Sequence, residues 1–515
     1  VVARQKAAMS EGTGSGRGLV FITGAKLYFI ASGFLVQLGL PRLLGSPEVF
    51  GQYSLAMSIV SVVNNVLIAA TVQSVSKRVS EDPALAGPRL RQGLKLQLAV
   101  GVLIAGSLFA LSPFLARFAY DEKLGKLLQI AAFVPLCYAI YAALVGSLNG
   151  RQLFQRQAAL DATFSTVRTT GILGAAALGL GAVGALSGFA IAAGVILAIS
   201  LVVVGTGSNG PRLPLKTWFA FLLPIVAFQS TLNGTLLLDV WVLKNTAAEL
   251  GLAAGLPMAE AADQASRYVG FYRAGQTFAL VPYQIILSVT FIVFPLVSRA
   301  TAEGDHAAAR GHVIQALRFS LLVLFALAAP IGGAAESLIR LAYGPKFLAG
   351  SEALSVLVFG QVCLAMFVIV ATILSGAGRP GTPAWISLIA LTIVLVANRT
   401  LVSWVGLGPN TLRTAAFATT LGPAVALALS TFALRTTFGV MLPMATLARG
   451  AISAAFGFYV ARLVPQHTLL LAPVAMSAGG LAYVAALFVT RELKPSDVKS
   501  ALSSLRNRKK AAAPA

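Results

Sequence analysis

Five cations, Lys26, Arg168, Arg273, Arg399 and Arg449, fall inside or near the ends of long apolar stretches. A Lys or Arg at the centre of a membrane span costs about 2.5–3.5 kcal/mol, so it faces a partner or a watery cavity and usually has a task. Lys26, Gly33 and Gln37 recur at i, i+7 and i+11, which places them on one helical face, and Arg273, Gln276, Leu280 and Gln284 form a second such face. Shifting the sequence by 219 residues brings Arg273 onto Ser54, Thr277 onto Ser58 and Gln284 onto Asn65, and Ser54, Ser58, Ser61 and Asn65 also share a face. Two such stripes opposed across a pseudo-twofold axis would line a hydrophilic groove. Ammonium and guanidinium groups suit phosphates, and amides suit sugar hydroxyls, so the cargo such a groove fits is anionic and polyhydroxylated, whereas a cationic solute would be repelled. The substrate-binding candidates are Lys26, Arg273, Gln276, Gln284, Asn65 and Gln37. Ser, Gln and Asn also glue helices together in bundles, and that plainer reading applies to any single Ser.

Asp239 is the one carboxylate deep in its span, either a counter-ion to a cavity cation or a site coupling H+ or Na+ to transport. Arg168 lies seven residues from Asp161, which reads equally as a same-face pair or as cavity lining. Arg399 is a third candidate cavity charge, although it and Arg449 could simply snorkel.

These residues must be held by membrane helices. Of 515 residues 57% are hydrophobic and 11% charged, with a mean hydropathy of +0.83, unlike any soluble core. About twenty apolar residues cross a bilayer, which predicts about fourteen spans at 20–43, 49–71, 94–119, 124–149, 158–180, 181–205, 217–244, 268–297, 313–341, 351–376, 382–406, 412–436, 440–461 and 468–490. The halves repeat: Arg117-Phe-Ala-Tyr120, Cys137 and Gly150-Arg151 recur as Arg340-Leu-Ala-Tyr343, Cys363 and Gly378-Arg379. Six spans per copy is an even number, so both copies insert in the same orientation. The expected organisation is all-α and polytopic, with a tail at 1–18, an N-lobe at 19–206, a C-lobe at 216–437, an extra helix pair at 438–490 and a basic tail at 491–515.

Lys and Arg divide twenty-four to ten between alternate sides, which makes both termini cytoplasmic and the 245–267 connection, read as the longest outer loop, extracytoplasmic. The net charge of +22 is then topological signal and affinity for anionic membrane lipids, not a sign of nucleic-acid binding. The Arg491 to Lys510 tail reads as an electrostatic anchor or a partner's docking site. No cleavable signal peptide is expected, because the first eighteen residues are polar and the first apolar run contains Lys26.

Cys137 and Cys363 occupy matching apolar helices and read as small buried hydrophobes. His306, His312 and His467 show no zinc spacing. Without a Walker loop, a Gly-x-Ser-x-Gly elbow or paired catalytic carboxylates, neither enzyme chemistry nor a metal or cofactor is expected.

Five segments carry a resemblance over nearly the whole chain: Gly51-Gln-Tyr53, Leu238-Asp239-Val240, Val269-Gly270-Phe-Tyr272-Arg273-Ala274, Pro295-Leu-Val-Ser298-Arg299 and Tyr343-Gly344-Pro-Lys-Phe347. In these the chain resembles the polysaccharide-biosynthesis, or Wzx-type, oligosaccharide flippases of the multidrug/oligosaccharidyl-lipid/polysaccharide (MOP) exporter superfamily. The resemblance implies two six-helix lobes, alternating access around spans one, two, seven and eight, and a cargo of undecaprenyl-diphosphate-linked sugars. It also implies residence in the bacterial cytoplasmic membrane, with a polysaccharide polymerase and glycosyltransferases as candidate partners. The similar lipid II flippases place cavity arginines in spans one, two and eight. Here Lys26 and Arg273 fill the first and last, but Ser54 stands at the second, which weakens that alternative. Export of a small solute is another. A membrane glycosyltransferase or polymerase would need a larger outer domain than 245–267, and a silent scaffold would not need cations within its spans.

Overall fold

The computed structural model describes residues 24–25, 27–286, 297, 306–465 and 471–493. All regular structure among them is helical. Twelve of the described helices are long and apolar enough to cross a membrane. Two more, α6 (Phe154–Ala177) and α10 (Met258–Ala279), have 24 and 22 residues but are more polar. Those two carry Asp161, Arg168 and Arg273.

The described residues up to Arg273, with Leu395–Thr411, form one compact unit. It holds α1 (Leu27–Leu44), α2 (Pro47–Glu81), α3 (Ala86–Phe118), α4 (Glu122–Ala131), α5 (Phe133–Gly150), α6, α7 (Gly181–Val204), α8 (Leu215–Leu237), α9 (Asp239–Ala253) and most of α10. Helix α2 starts where Ser46 caps the Val49 amide and Pro47 takes the first turn, a position that needs no N–H. At 35 residues it runs roughly 50 Å, far beyond the roughly 30 Å of hydrocarbon. Its end and the start of α3 therefore leave the apolar slab, and Lys77, Arg78, Arg89, Arg91 and Lys95 cluster there.

Three spans read as continuous are in fact broken. The 124–149 stretch divides at Ala132 into α4 and α5. Pro135 explains this, since its ring excludes the carbonyl four residues back and it has no N–H to donate. The 217–244 stretch divides at Leu238 into α8 and α9. The 313–341 stretch divides at Ala334 into α11 (His306–Gly333) and α12 (Ala335–Tyr343). The expected outer loop at 245–267 is also corrected: α9 continues to Ala253 and α10 begins at Met258, leaving a connection of a few residues. Small side chains permit it, because Ala247, Ala248 and Ala265 pack together with Tyr120 and Tyr268 against them.

The second unit comprises the described residues within Ala274–Val394 and from Leu412 onward. It contains α11, α12, α13 (Gly350–Gly376), most of α14 (Gly381–Val405) and of α15 (Thr411–Phe438), α16 (Met444–Leu463) and α17 (Ala472–Val489). The last two helices cross at a pair of glycines, Gly457 and Gly479, each facing the other's carbonyl.

Just past α17 the Glu492 carboxylate draws three elements together. It accepts from Thr446 Oγ1 at 2.8 Å and Arg318 Nε at 2.9 Å, and pairs with Arg449 at 3.3 Å. Arg449, which the sequence left free to snorkel, is thus engaged. Burial works against the charge, but Thr446, Arg318 and Arg449 together hold the Glu492 carboxyl below its ordinary 4.5. A lowered folded-state value means stability fully present above pH 4.5 and lost as pH falls through that lower value. Glu492→Gln is expected to cost about 1–3 kcal/mol at neutral pH and to flatten the acid limb of the melting-temperature profile. An unchanged acid limb would remove Glu492 from this role.

Candidate functional site

The site is organised by a helix crossing in the first unit. Gly51 of α2 lies against the Ser266 carbonyl and Gly270 of α10 against the Pro47 carbonyl, so close that an added Cβ would sit 1.9 Å and 2.0 Å from those oxygens. Any side chain at either position would force the backbones apart. The 219-residue repeat maps Pro47 onto Ser266, Glu48 onto Arg267 and Gly51 onto Gly270, so equivalent helices of the two copies meet in a reciprocal contact. Glu48 and Arg267, themselves repeat equivalents, form an ion pair across it.

Two residues beyond each glycine stands a tyrosine, Tyr53 in α2 and Tyr272 in α10, both buried. The charges of Arg168 and Arg273 are both felt at the Tyr53 hydroxyl, so a cation of α6 and a cation of α10 share the electrostatic neighbourhood of one phenol of α2. Arg168 is held by rings, its guanidinium 4.5 Å from the Phe29 centroid and 5.7 Å from that of Phe164. Cation–π contacts of this kind contribute about 0.5–2 kcal/mol. They fix the guanidinium in place, and its buried Nε has no hydrogen-bond partner among the described residues. Asp161, seven residues earlier, accepts from Tyr141 Oη at 2.9 Å.

Asp239 stands at the α8–α9 break, fully buried, and accepts from Tyr272 Oη at 2.7 Å. A carboxylate in the first turn of a helix is favoured by the exposed amides there. Asn65 of α2 is exposed and donates to Asn233 at 2.8 Å, and Asn233 donates to the Gln229 carbonyl at 2.8 Å, making an amide ladder between α2 and α8. Ser54 and Ser58 are buried, and Ser58 accepts from Trp241 Nε1 at 2.8 Å, so this part of the stripe packs helices. Gln37 is exposed on α1. In the second unit, Gln276 is buried and Gln284 exposed. Lys26 lies outside the described residues.

Arg399 occupies a different place. It donates to Asn245 Oδ1 at 3.0 Å and Thr246 Oγ1 at 3.3 Å and pairs with Glu249, beside a cavity of about 520 Å3 also lined by Arg117 and Tyr120.

The largest polar feature that sequence reasoning missed is the pair Asp121–Lys244, 3.1 Å apart with both side chains essentially unexposed. Lys244 also donates to Ser266 Oγ at 2.7 Å and to the Ala262 carbonyl, while Asp121 accepts from Gln52 Nε2 at 3.3 Å and Ser266 Oγ at 3.2 Å and caps the Lys123 amide. The cluster ties α2, α4, α9 and α10 beside the glycine crossing. Its members are 123 residues apart, and no local pattern announces them.

In comparison with known proteins, residues 40–352 match the sequence profile of a family described as "Polysaccharide biosynthesis protein". No curated protein matches the chain in sequence. Among solved structures, the fold is similar to the lipid II flippase MurJ in an inward closed conformation, with a TM-score of 0.72 at 14% identity, covering 92% of this chain and 99% of that one. An inward-facing multidrug resistance MATE transporter of the MOP superfamily gives 0.63 at 15% identity, covering 78% and 93%. A MOP superfamily transporter from Pyrococcus furiosus gives 0.59 at 15% identity, covering 82% and 96%.

Proposed function

Because the chain belongs to the polysaccharide biosynthesis protein family and has the multi-pass membrane fold of MOP-superfamily transporters, we propose that it flips an undecaprenyl-diphosphate-linked oligosaccharide across the bacterial cytoplasmic membrane. The observation that carries this reading is Arg168, held against the Phe29 and Phe164 rings, with its charge and that of Arg273 both felt at Tyr53. Two cations on the two most polar of the long helices, one of them held by rings, suit a diphosphate. Lys26 would add a third charge from the first span. Asn65, backed by Asn233 and Gln229, offers amides to sugar hydroxyls, with Gln37, Gln276 and Gln284 as further contacts. The prenyl tail would stay in lipid while the headgroup crosses about 30 Å of hydrocarbon through a laterally open groove, re-exposed on the far side as the two repeat-related lobes, 19–206 and 216–437, rock. No bond is made or broken in this cycle.

Asp239 would couple the cycle to an ion gradient. In proteoliposomes, wild-type flipping is expected to accelerate severalfold under an imposed H+ or Na+ gradient, and Asp239→Asn to lose that acceleration while still binding cargo. Flipping by the wild type indifferent to both gradients would reduce Asp239 to the partner of Tyr272.

The reading as a whole is tested by giving the reconstituted protein three cargoes: an undecaprenyl-diphosphate oligosaccharide, lipid II and a cationic solute. The expected result is translocation of the first at least tenfold above protein-free vesicles, with the sugar chain unchanged. Transfer or polymerisation of sugar would replace transport with glycosyltransferase activity. Faster movement of lipid II would favour the second reading, which the likeness to the lipid II flippase fold supports and the Ser54 departure opposes.

A further inference from the structure

The segment joining the two repeats, 205–214, has no regular secondary structure and yet is strapped to the first turns of α3. Gln92 grips the Leu213 backbone at both ends, donating to its carbonyl at 2.6 Å and accepting from its amide at 2.9 Å, and Arg89 donates to the Pro211 carbonyl at 3.1 Å. Gly207, at φ +73°, packs its backbone onto the Gly87 carbonyl, and Gly210 lies on Pro88. This fit leaves a cavity of about 370 Å3 between the strap and α3.

Arg91, Lys95 and Arg212 line that cavity, with Ser208 and Asn209 adding polar groups and no carboxylate among the lining residues. Three like charges around one concavity repel one another unless an anion joins them. Above the cavity the protein turns apolar in a directed way. From Lys95 the same side of α3 continues through Leu98 and Val102, which are 48% and 54% exposed, and from the cavity wall Leu215 begins a stripe on α8 with Phe219 and Leu223. The two helices are neighbours, since Gly93 faces the Trp218 ring. A cationic socket flanked by exposed apolar side chains has the polarity of a phospholipid, with a phosphate headgroup in the socket and acyl chains along the apolar surface.

We propose that the cavity between α3 and the 205–214 strap is a binding site for the phosphate headgroup of an anionic membrane lipid. Arg91, Lys95 and Arg212 hold the phosphate, and the acyl chains run along Leu98, Val102, Leu215, Phe219 and Leu223. A basic pocket between helices at the positively charged end of a membrane protein is suited to such a ligand. The inference stands apart from the transported cargo, because none of these residues belongs to the cluster around Tyr53. It assigns the linker between the repeats a lipid that fastens it.

The test uses the purified full-length protein in detergent, with lipid retention followed by native mass spectrometry and thermal stability measured in parallel. Phosphatidylglycerol is expected to be retained and to raise the melting temperature, and phosphatidylcholine to do neither. The variant Arg91→Gln/Lys95→Gln/Arg212→Gln should lose retention by on the order of 100-fold, about fivefold for each cation. Arg212→Gln alone, on an exposed strap position, should lose about fivefold with no change in lipid-free melting temperature. Arg435→Gln, an exposed cation elsewhere, should change nothing. Undiminished phosphatidylglycerol retention in Arg212→Gln and the triple variant would overturn the site. So would inorganic phosphate raising the wild-type melting temperature as much as phosphatidylglycerol does, because the socket would then serve a free anion.

Discussion

Lys244→Met is expected to destabilise the protein by about 3–5 kcal/mol, seen as a large fall in melting temperature in detergent. The Lys244 ammonium is unexposed and lies 3.1 Å from Asp121. Removing one member of a buried pair strands the other as an uncompensated charge in low dielectric, which is far more costly than losing a surface ion pair. The stranded carboxylate would keep only Gln52, Ser266 and the Lys123 amide. Adding Asp121→Asn, which preserves the cap on α4 and removes the charge, should recover much of the loss. A cycle in which the double variant is as damaged as the sum of the singles would show that the pair is not energetically coupled.

Arg273→Ala and Arg168→Ala are each expected to slow flipping in proteoliposomes by one to two orders of magnitude. A hydrogen bond to a charged group contributes about 1.5–3 kcal/mol, and 1.4 kcal/mol is a factor of ten. Insertion should be unharmed, because a cation within a span is unfavourable and its removal relieves the bilayer. Arg273→Lys should retain part of the rate, since it keeps the charge and loses the fork that binds phosphate bidentately. Arg168→Ala should in addition lose the packing on Phe29 and Phe164 and melt somewhat earlier. Wild-type flipping rates in both alanine variants, with normal insertion, would eliminate the cationic site.

Much of the architecture was legible because a bilayer imposes a simple rule on sequence. Backbone polar groups must be satisfied internally where water is absent, so long apolar runs become helices, and their ends fall within a few residues of where hydropathy changes. The helices Gly350–Gly376, Gly381–Val405 and Thr411–Phe438 lie close to the spans expected at 351–376, 382–406 and 412–436. The breaks were harder to see. Pro135 marks one and Pro330 with Gly332-Gly333 precedes the one at Ala334, but Leu238 carries no breaker of its own, and the extension of α9 to Ala253 depends on alanine packing that hydropathy does not register. The motif glycines Gly51 and Gly270 were visible as a resemblance. Their meaning as partners in one crossing was not, although the repeat had already aligned them.

The sequence by itself determined that this is a polytopic helical membrane protein built on a repeat, with charges placed where the bilayer makes them costly, because hydropathy and periodicity are local properties that each segment expresses alone. Only the tertiary structure decided which of those polar residues are neighbours. It brought the charges of Arg168 and Arg273 within reach of Tyr53, gave Arg449 to Glu492 and Arg399 to Glu249, buried Ser54 and Ser58 in packing, and closed Asp121 onto Lys244. Such pairings join residues far apart in the chain, and their energies depend on distance and on exclusion of water, neither of which exists until the helices have packed.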